Sequence, residues 1–165
     1  MISVKSSNTK AFMSKLLTSE LFDNYLVEEV AIDTFNSFYI DGHVHKEFYA
    51  DVEDEGSVPS DSLSRWADLR PICLELIKGK RTPLKFKFVF HLDRKTTAEI
   101  AEKAEAGLSP ADIKLGVNIR FSRGELVITT GTAFSIFTLD KIIEKAWDSY
   151  FPSFLESNGI TLEYL

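Results

Sequence analysis

The longest alternation of apolar and polar positions in the chain runs from Leu84 to Leu92. Leu84, Phe86, Phe88, Phe90 and Leu92 point one way, and Lys85, Lys87, Val89 and His91 point the other. A period of two over this length predicts a strand with one buried face. Gly79 suits the end of a preceding helix, and Pro83 suits the start of the strand, where no ladder donor is lost.

The flanking patterns predict the other elements. Ile2–Lys5 reads as a short opening strand. Asn8 can cap a helix that carries Ala11, Phe12, Leu16 and Leu17 at helical spacing and stops near Ser19–Glu20. A strand is expected from Tyr25 to Thr34, then a hairpin turn over Phe35–Phe38 flanked by aromatics. The return strand is expected from Phe38 to Phe48. It would place Phe38, Ile40, Val44 and Phe48 on one face and Tyr39, Asp41, His43, His45 and Glu47 on the other, with Gly42 between. The acidic stretch Asp51–Ser62, with Gly56 and Pro59, reads as a mobile loop.

A helix is expected over Ser62–Lys78, with Trp66, Leu69, Cys73, Leu76 and Ile77 on one stripe and a kink near Leu69 from Pro71. Thr96–Ala106 has the propensity of a surface helix, and Ser109-Pro110 opens a short turn of helix. Leu115–Phe121 and Leu126–Thr132 alternate as the two arms of a hairpin turning at Ser122–Glu125. Ser135–Thr138 is expected to add one more short strand. A last helix carries Leu139, Ile142, Ile143, Ala146, Trp147, Tyr150, Phe151, Phe154 and Leu155 on one stripe. Thr138 would cap it, Pro152 bend it, and Asn158-Gly159 end it. Hairpin-joined strands with helices between them predict an α+β fold: an antiparallel sheet with helices packed mainly on one face, one domain over residues 1–165.

Composition bounds the setting. One cysteine, Cys73, leaves no internal disulfide framework. The N-terminal stretch lacks the apolar core of a signal peptide, and no run reaches the ~18 apolar residues of a membrane span. These features predict a cytoplasmic protein without membrane contact. The net charge of −6 is uneven: residues 1–60 carry −7, residues 61–100 carry +4 and residues 101–165 carry −3. An acidic chain with one basic segment makes nucleic acid an unfavoured partner and leaves room for a local anion site.

That segment is the first candidate site. Lys78, Lys80, Arg81, Lys85 and Lys87 fall within ten residues, and Lys85 and Lys87 share the strand face away from the core. They could hold a phosphate or an acidic partner, although charge runs are most often solvated faces. The aromatics of that strand point inward, so no stacking surface is expected beside the lysines.

The second candidate is Ile40-Asp41-Gly42-His43-Val44-His45, similar to the signature that opens amidohydrolase metal sites. Two histidines at i, i+2 on a strand project to one side, as a pair of imidazole ligands requires. His43, His45 and His91 would be the metal ligands, with Asp41, Glu47 and Tyr39 in support. A chain this short cannot build that family's (β/α)₈ barrel, and Glu47 comes too early after His-x-His for a cupin. The bland reading is a pair of solvated imidazoles.

Other matches fall away. Gly79-Lys80-Arg81-Thr82 leads from helix into strand, the reverse of a phosphate-cradling loop. Ser7-Asn8-Thr9-Lys10 lacks the companion motifs of penicillin-recognising enzymes. Cys73, on an apolar helix stripe, reads as a buried, inert thiol.

Several stretches together resemble a family of small uncharacterised proteins from anaerobic clostridial bacteria, classed only as a domain of unknown function. They are Phe35-Asn36, Ile40-Asp41-Gly42, Lys46-Glu47-Phe48, Ile77-Lys78-Gly79-Lys80-Arg81-Thr82-Pro83-Leu84, Phe86-Lys87, Asn118-Ile119-Arg120-Phe121 and Phe137-Thr138-Leu139-Asp140-Lys141. The resemblance covers nearly the whole chain and implies no activity, cofactor or catalytic residue.

The leading expectation is a non-catalytic binding or interaction module, with no cofactor, whose basic edge takes an anionic ligand or an acidic protein. The alternative is a small, hydrolase-like metal-dependent enzyme centred on His43 and His45. A third reading has exposed aromatics such as Tyr39 and Tyr49 building a homo-oligomer.

Overall fold

The computed structural model describes all 165 residues. Its strands are β1 (Ser3–Ser6), β2 (Leu26–Asp33), β3 (Ser37–Asp41), β4 (Ser64–Arg65), β5 (Lys85–His91), β6 (Ile113–Ser122), β7 (Glu125–Phe134) and β8 (Leu162–Tyr164). Its helices are α1 (Thr9–Thr18), α2 (Trp66–Ile77), α3 (Arg94–Lys103) and α4 (Ile142–Ser157). The strands form one eight-stranded sheet in the order β3-β2-β5-β6-β7-β1-β8, with β4 beside β2. Every pairing is antiparallel. This is the α+β architecture that the hairpin pattern predicts.

The core lies on one side of this sheet. Phe86, Phe88 and Phe90 of β5 and Leu115, Val117, Ile119 and Phe121 of β6 are buried there. Against them pack Phe12, Leu16 and Leu17 of α1, Trp66 and Cys73 of α2, Ile100 and Ala101 of α3, and Ile143, Trp147, Phe151 and Leu155 of α4, in a single cluster of 29 residues. Alternation sends the intervening residues of β5, β6 and β7 to the opposite face, which no helix covers.

Local chemistry sets the boundaries. The Asn8 side chain accepts from Ala11 N at the start of α1, and that of Asp93 accepts from Thr96 N at the start of α3. Pro71 is carried inside α2. That helix begins at Trp66 rather than Ser62 because Ser64 and Arg65 are claimed by the edge of β2, opposite Val27 and Leu26.

The return strand expected to reach Phe48 stops at Asp41. Beyond it, Gly42 N donates to Glu28 O, His43 bridges to Leu63, and Lys46–Tyr49 coils into a 3₁₀ turn. Phe48 is exposed rather than inward-facing. The expected strand at Ser135–Thr138 does not form. Ser135 is bonded through its N–H and hydroxyl to Asp112, and the chain then runs free, leaving Phe137 88% exposed. Leu139 stays outside the helical stripe, because α4 starts at Ile142 with Asp140 Oδ1, not Thr138, accepting from the Ile142 N–H. The C-terminal β8, which pairs with β1, carries no alternation long enough to announce itself.

Candidate functional site

The uncovered face of the sheet is built from residues that alternate with the core. On β5 these are Lys85, Lys87, Val89 and His91; on β6 they are Lys114, Gly116, Asn118, Arg120 and Ser122. The register places Lys87 opposite Arg120 and Lys85 opposite Ser122. Directly opposed like charges destabilise a sheet. Lys87 is relieved by Glu29, with Nζ 2.5 Å from Oε1, and Glu29 Oε2 also accepts from the Tyr39 hydroxyl at 3.0 Å. The Lys87 ammonium, and secondly the Tyr39 hydroxyl, hold the Glu29 carboxyl below the usual carboxylate range. Arg120 forms no ion pair. Between them lies a depression of about 330 Å³ lined by Ala31, Asp33, Lys85, Lys87, Arg120 and Ser122.

The basic segment therefore divides. Lys78 leaves α2 bonded to Glu75 at 2.7 Å. Lys80 and Arg81 stand exposed, without ion pairs, in the 78–84 connection that enters the sheet beside Lys85. Lys85 lies 3.6 Å from Asp33, close enough for attraction but too far for a hydrogen bond. Lys85 and Lys87 join Arg120 on the uncovered face. Arg120 escaped sequence reading because β5 and β6 are joined by a long connection containing α3, so their register is invisible in the pattern. The outward alternation of β6 was the available signal.

The histidines are placed by a bulge. The β2 register shifts between Val27 and Glu29, where the edge passes from β3 to β4. The carboxylate of the bulged Glu28 accepts from His91 Nε2 across 2.7 Å. His91 Nδ1 and Asn118 Oδ1 are both buried without a hydrogen-bond partner. His43 Nδ1 lies 2.6 Å from Asp41 Oδ1, which also accepts from His43 N, and the imidazole is 60% exposed. These contacts lower the Asp41 carboxyl pKa, the backbone N–H of His43 contributing most. His43 and His91 line one groove with Glu28, Asp61, Arg94 and Lys114. His45 and Tyr49 line a neighbouring, larger one shared with His43. Glu47 is exposed in the 3₁₀ turn. No three His, Cys, Asp or Glu side chains are grouped so as to hold a metal ion.

Cys73 is buried, and desolvation pushes its thiol up to about 12, so it is neither a nucleophile nor a ligand near neutrality. No helix is long and apolar enough to cross a membrane.

No curated protein and no solved structure matches the chain. A family model does, over residues 15–163, which take in every strand of the uncovered face except β1 and the last residue of β8. The chain belongs to the family of unknown function DUF5721.

Proposed function

We propose that the protein is a non-catalytic binding module whose uncovered sheet face holds an anionic group between Lys85, Lys87 and Arg120. The observation that carries this reading is the Lys87–Arg120 cross-strand pair, in which Arg120 has no carboxylate of its own. An anion seated between the two would remove the repulsion and supply the missing partner, with the planar guanidinium offering two parallel donors to an oxyanion. Ala31 and Ser122 are small enough to leave the space open, and the Ser122 hydroxyl adds a donor. Lys80 and Arg81, at the entrance to β5, supply long-range attraction rather than contact.

The test is titration with inorganic phosphate, followed by backbone amide shifts. The expected shifts gather at Ala31, Lys85, Lys87, Arg120 and Ser122, weaken as salt rises, and vanish in Arg120→Glu. Shifts scattered over the surface, or unchanged by Arg120→Glu, would refute the reading.

A further inference from the structure

Five strands of the sheet end together at one side. Ser37, Asp33, Lys85, Ser122 and Glu125 stand in register across β3, β2, β5, β6 and β7. Three connections project beyond this row: the β2–β3 turn at 34–36, the 78–84 connection into β5, and the β6–β7 turn at 123–124. Two large apolar residues stand out there. Phe35, 85% exposed, tips the β2–β3 turn, its ring centroid 5.7 Å from that of Phe38. Leu84, 72% exposed, continues the side of β5 that carries Phe86, and its N–H donates to Asp33 O beside that turn.

The same end gathers positive charge in a chain whose net charge is −6. Residues 33–37, 78–85 and 122–125 carry five cations and two carboxylates. The ion pairs here are Lys5–Glu125, Lys78–Glu75 and Lys85–Asp33, which leaves Lys80, Arg81 and Arg123 free. Arg123 is placed against local preference. Its φ is 52°, a left-handed backbone that a two-residue hairpin turn ordinarily gives to asparagine, aspartate or glycine. A residue that the turn itself disfavours points to a use for its charge outside the fold.

Isolated apolar side chains on projecting turns, ringed by lysine and arginine, are unlike a protein-binding patch. Such patches are depleted in lysine and hold their anchors in a packed centre. The arrangement matches an interfacial contact, in which apolar side chains enter the headgroup boundary and cations meet anionic lipid. We infer that this end of the sheet docks on an anionic phospholipid surface. Phe35 and Leu84 enter the headgroup layer, and Lys80, Arg81 and Arg123 meet its phosphates. Such contact needs no spanning helix. Nor does it rest on the anion site, since Lys87 and Arg120 take no part. Beyond the opposite end, where Ile113 pairs with Phe134, Phe137 is just as exposed. Its surroundings carry no excess of cations: residues 112–114 and 134–141 hold Asp112 and Asp140 against Lys114 and Lys141.

Flotation of the intact chain with vesicles tests the docking. Vesicles of phosphatidylcholine with about one-third phosphatidylserine are expected to carry it at least about tenfold more strongly than phosphatidylcholine alone, and less as salt rises. Joint reversal by Lys80→Glu and Arg81→Glu is expected to lower that binding about tenfold or more. Phe35→Ser is expected to lower it by about tenfold, whereas Phe137→Ser leaves it unchanged. All of these side chains are exposed, so the fold is spared. Failure to float with the anionic vesicles, or flotation that Phe35→Ser and the charge reversal both leave intact, overturns the inference. So does a loss in Phe137→Ser equal to that in Phe35→Ser. Binding to soluble polyglutamate as strong as to vesicles, and indifferent to Phe35→Ser, would assign this end to an acidic protein instead. Phosphate titration of Phe35→Ser reads the anion site separately, so either site can fail while the other stands.

Discussion

Gly42 lies so close to Val27 that a Cβ built on it would stand 1.8 Å from the Val27 carbonyl oxygen. This contact sits where the partner of β2 changes from β3 to β4, with Ser64 N donating to Gly42 O. The flexible end of a side chain could swing aside; a backbone carbonyl inside a sheet cannot. Gly42→Ala must therefore shift the strand edge, at a cost of about 3 kcal/mol or more. A lowered midpoint in urea unfolding, together with loss of the shift signature of His91 as the Glu28 bulge relaxes, is the expected result. An unchanged midpoint would mean that the edge is softer than this packing implies.

The same spot shows what the chain's pattern could and could not reveal. The alternation of Leu84–Leu92 announced β5, its inward phenylalanines and its outward lysines, because a sheet with one buried face writes period two into the sequence. The alternation from Phe38 to Phe48 reads equally well, yet the strand ends at Asp41. The backbone crowding at Gly42 depends on Val27 across the sheet, and no local pattern encodes that. Arg120 was hidden for the same reason: its outward direction was legible, but its pairing with Lys87 follows from long-range register. The bulge that carries Glu28 to His91 had no local signature at all.

Trp66 shows how the helical layer is tied together. Its indole is fully buried, lies edge-on to Phe88, and donates from Nε1 to Leu16 O at 2.9 Å. Leu16 is in the last turn of α1, where carbonyls lack helical partners. Trp66→Phe keeps most of the packing but orphans that carbonyl, for an expected loss of about 1–3 kcal/mol. Trp66→Ala adds a cavity and should cost about 3–5 kcal/mol. Chemical denaturation of both variants checks the order. Equal losses would show that the hydrogen bond contributes nothing.

Glu29 holds Lys87, one of the residues of the proposed anion site, so one substitution tests both binding and stability. Glu29→Gln removes the charge that occupies Lys87 while leaving an amide to accept from Tyr39. Phosphate affinity is expected to rise about three- to tenfold, as one competing carboxylate is lost. Because the folded-state pKa of Glu29 is lowered, first by Lys87 and then by Tyr39, the unfolded chain takes up the proton first as pH falls. The stability from this group is complete above the unfolded value of about 4.3. It disappears as pH falls through the lower folded value. Urea midpoints measured between roughly pH 3 and 6 should fall less steeply on acidification in Glu29→Gln than in the wild type. Parallel acid limbs would assign the wild-type slope to other carboxylates.

Gly131 offers a prediction whose sign separates a residue kept for folding from one kept for an open surface. If the fold required the glycine, through a left-handed backbone or close packing, any side chain there would destabilise. Neither condition holds: Gly131 is absent from the positive-φ glycines, and its Cβ would meet open space. Gly131→Ala reduces the conformational freedom of the unfolded chain at no cost in the folded one. The variant is expected to gain about 0.5–1 kcal/mol, a rise in Tm of about 2–4 °C for a domain of this size. Destabilisation by alanine would show instead that the strand needs glycine for its own geometry.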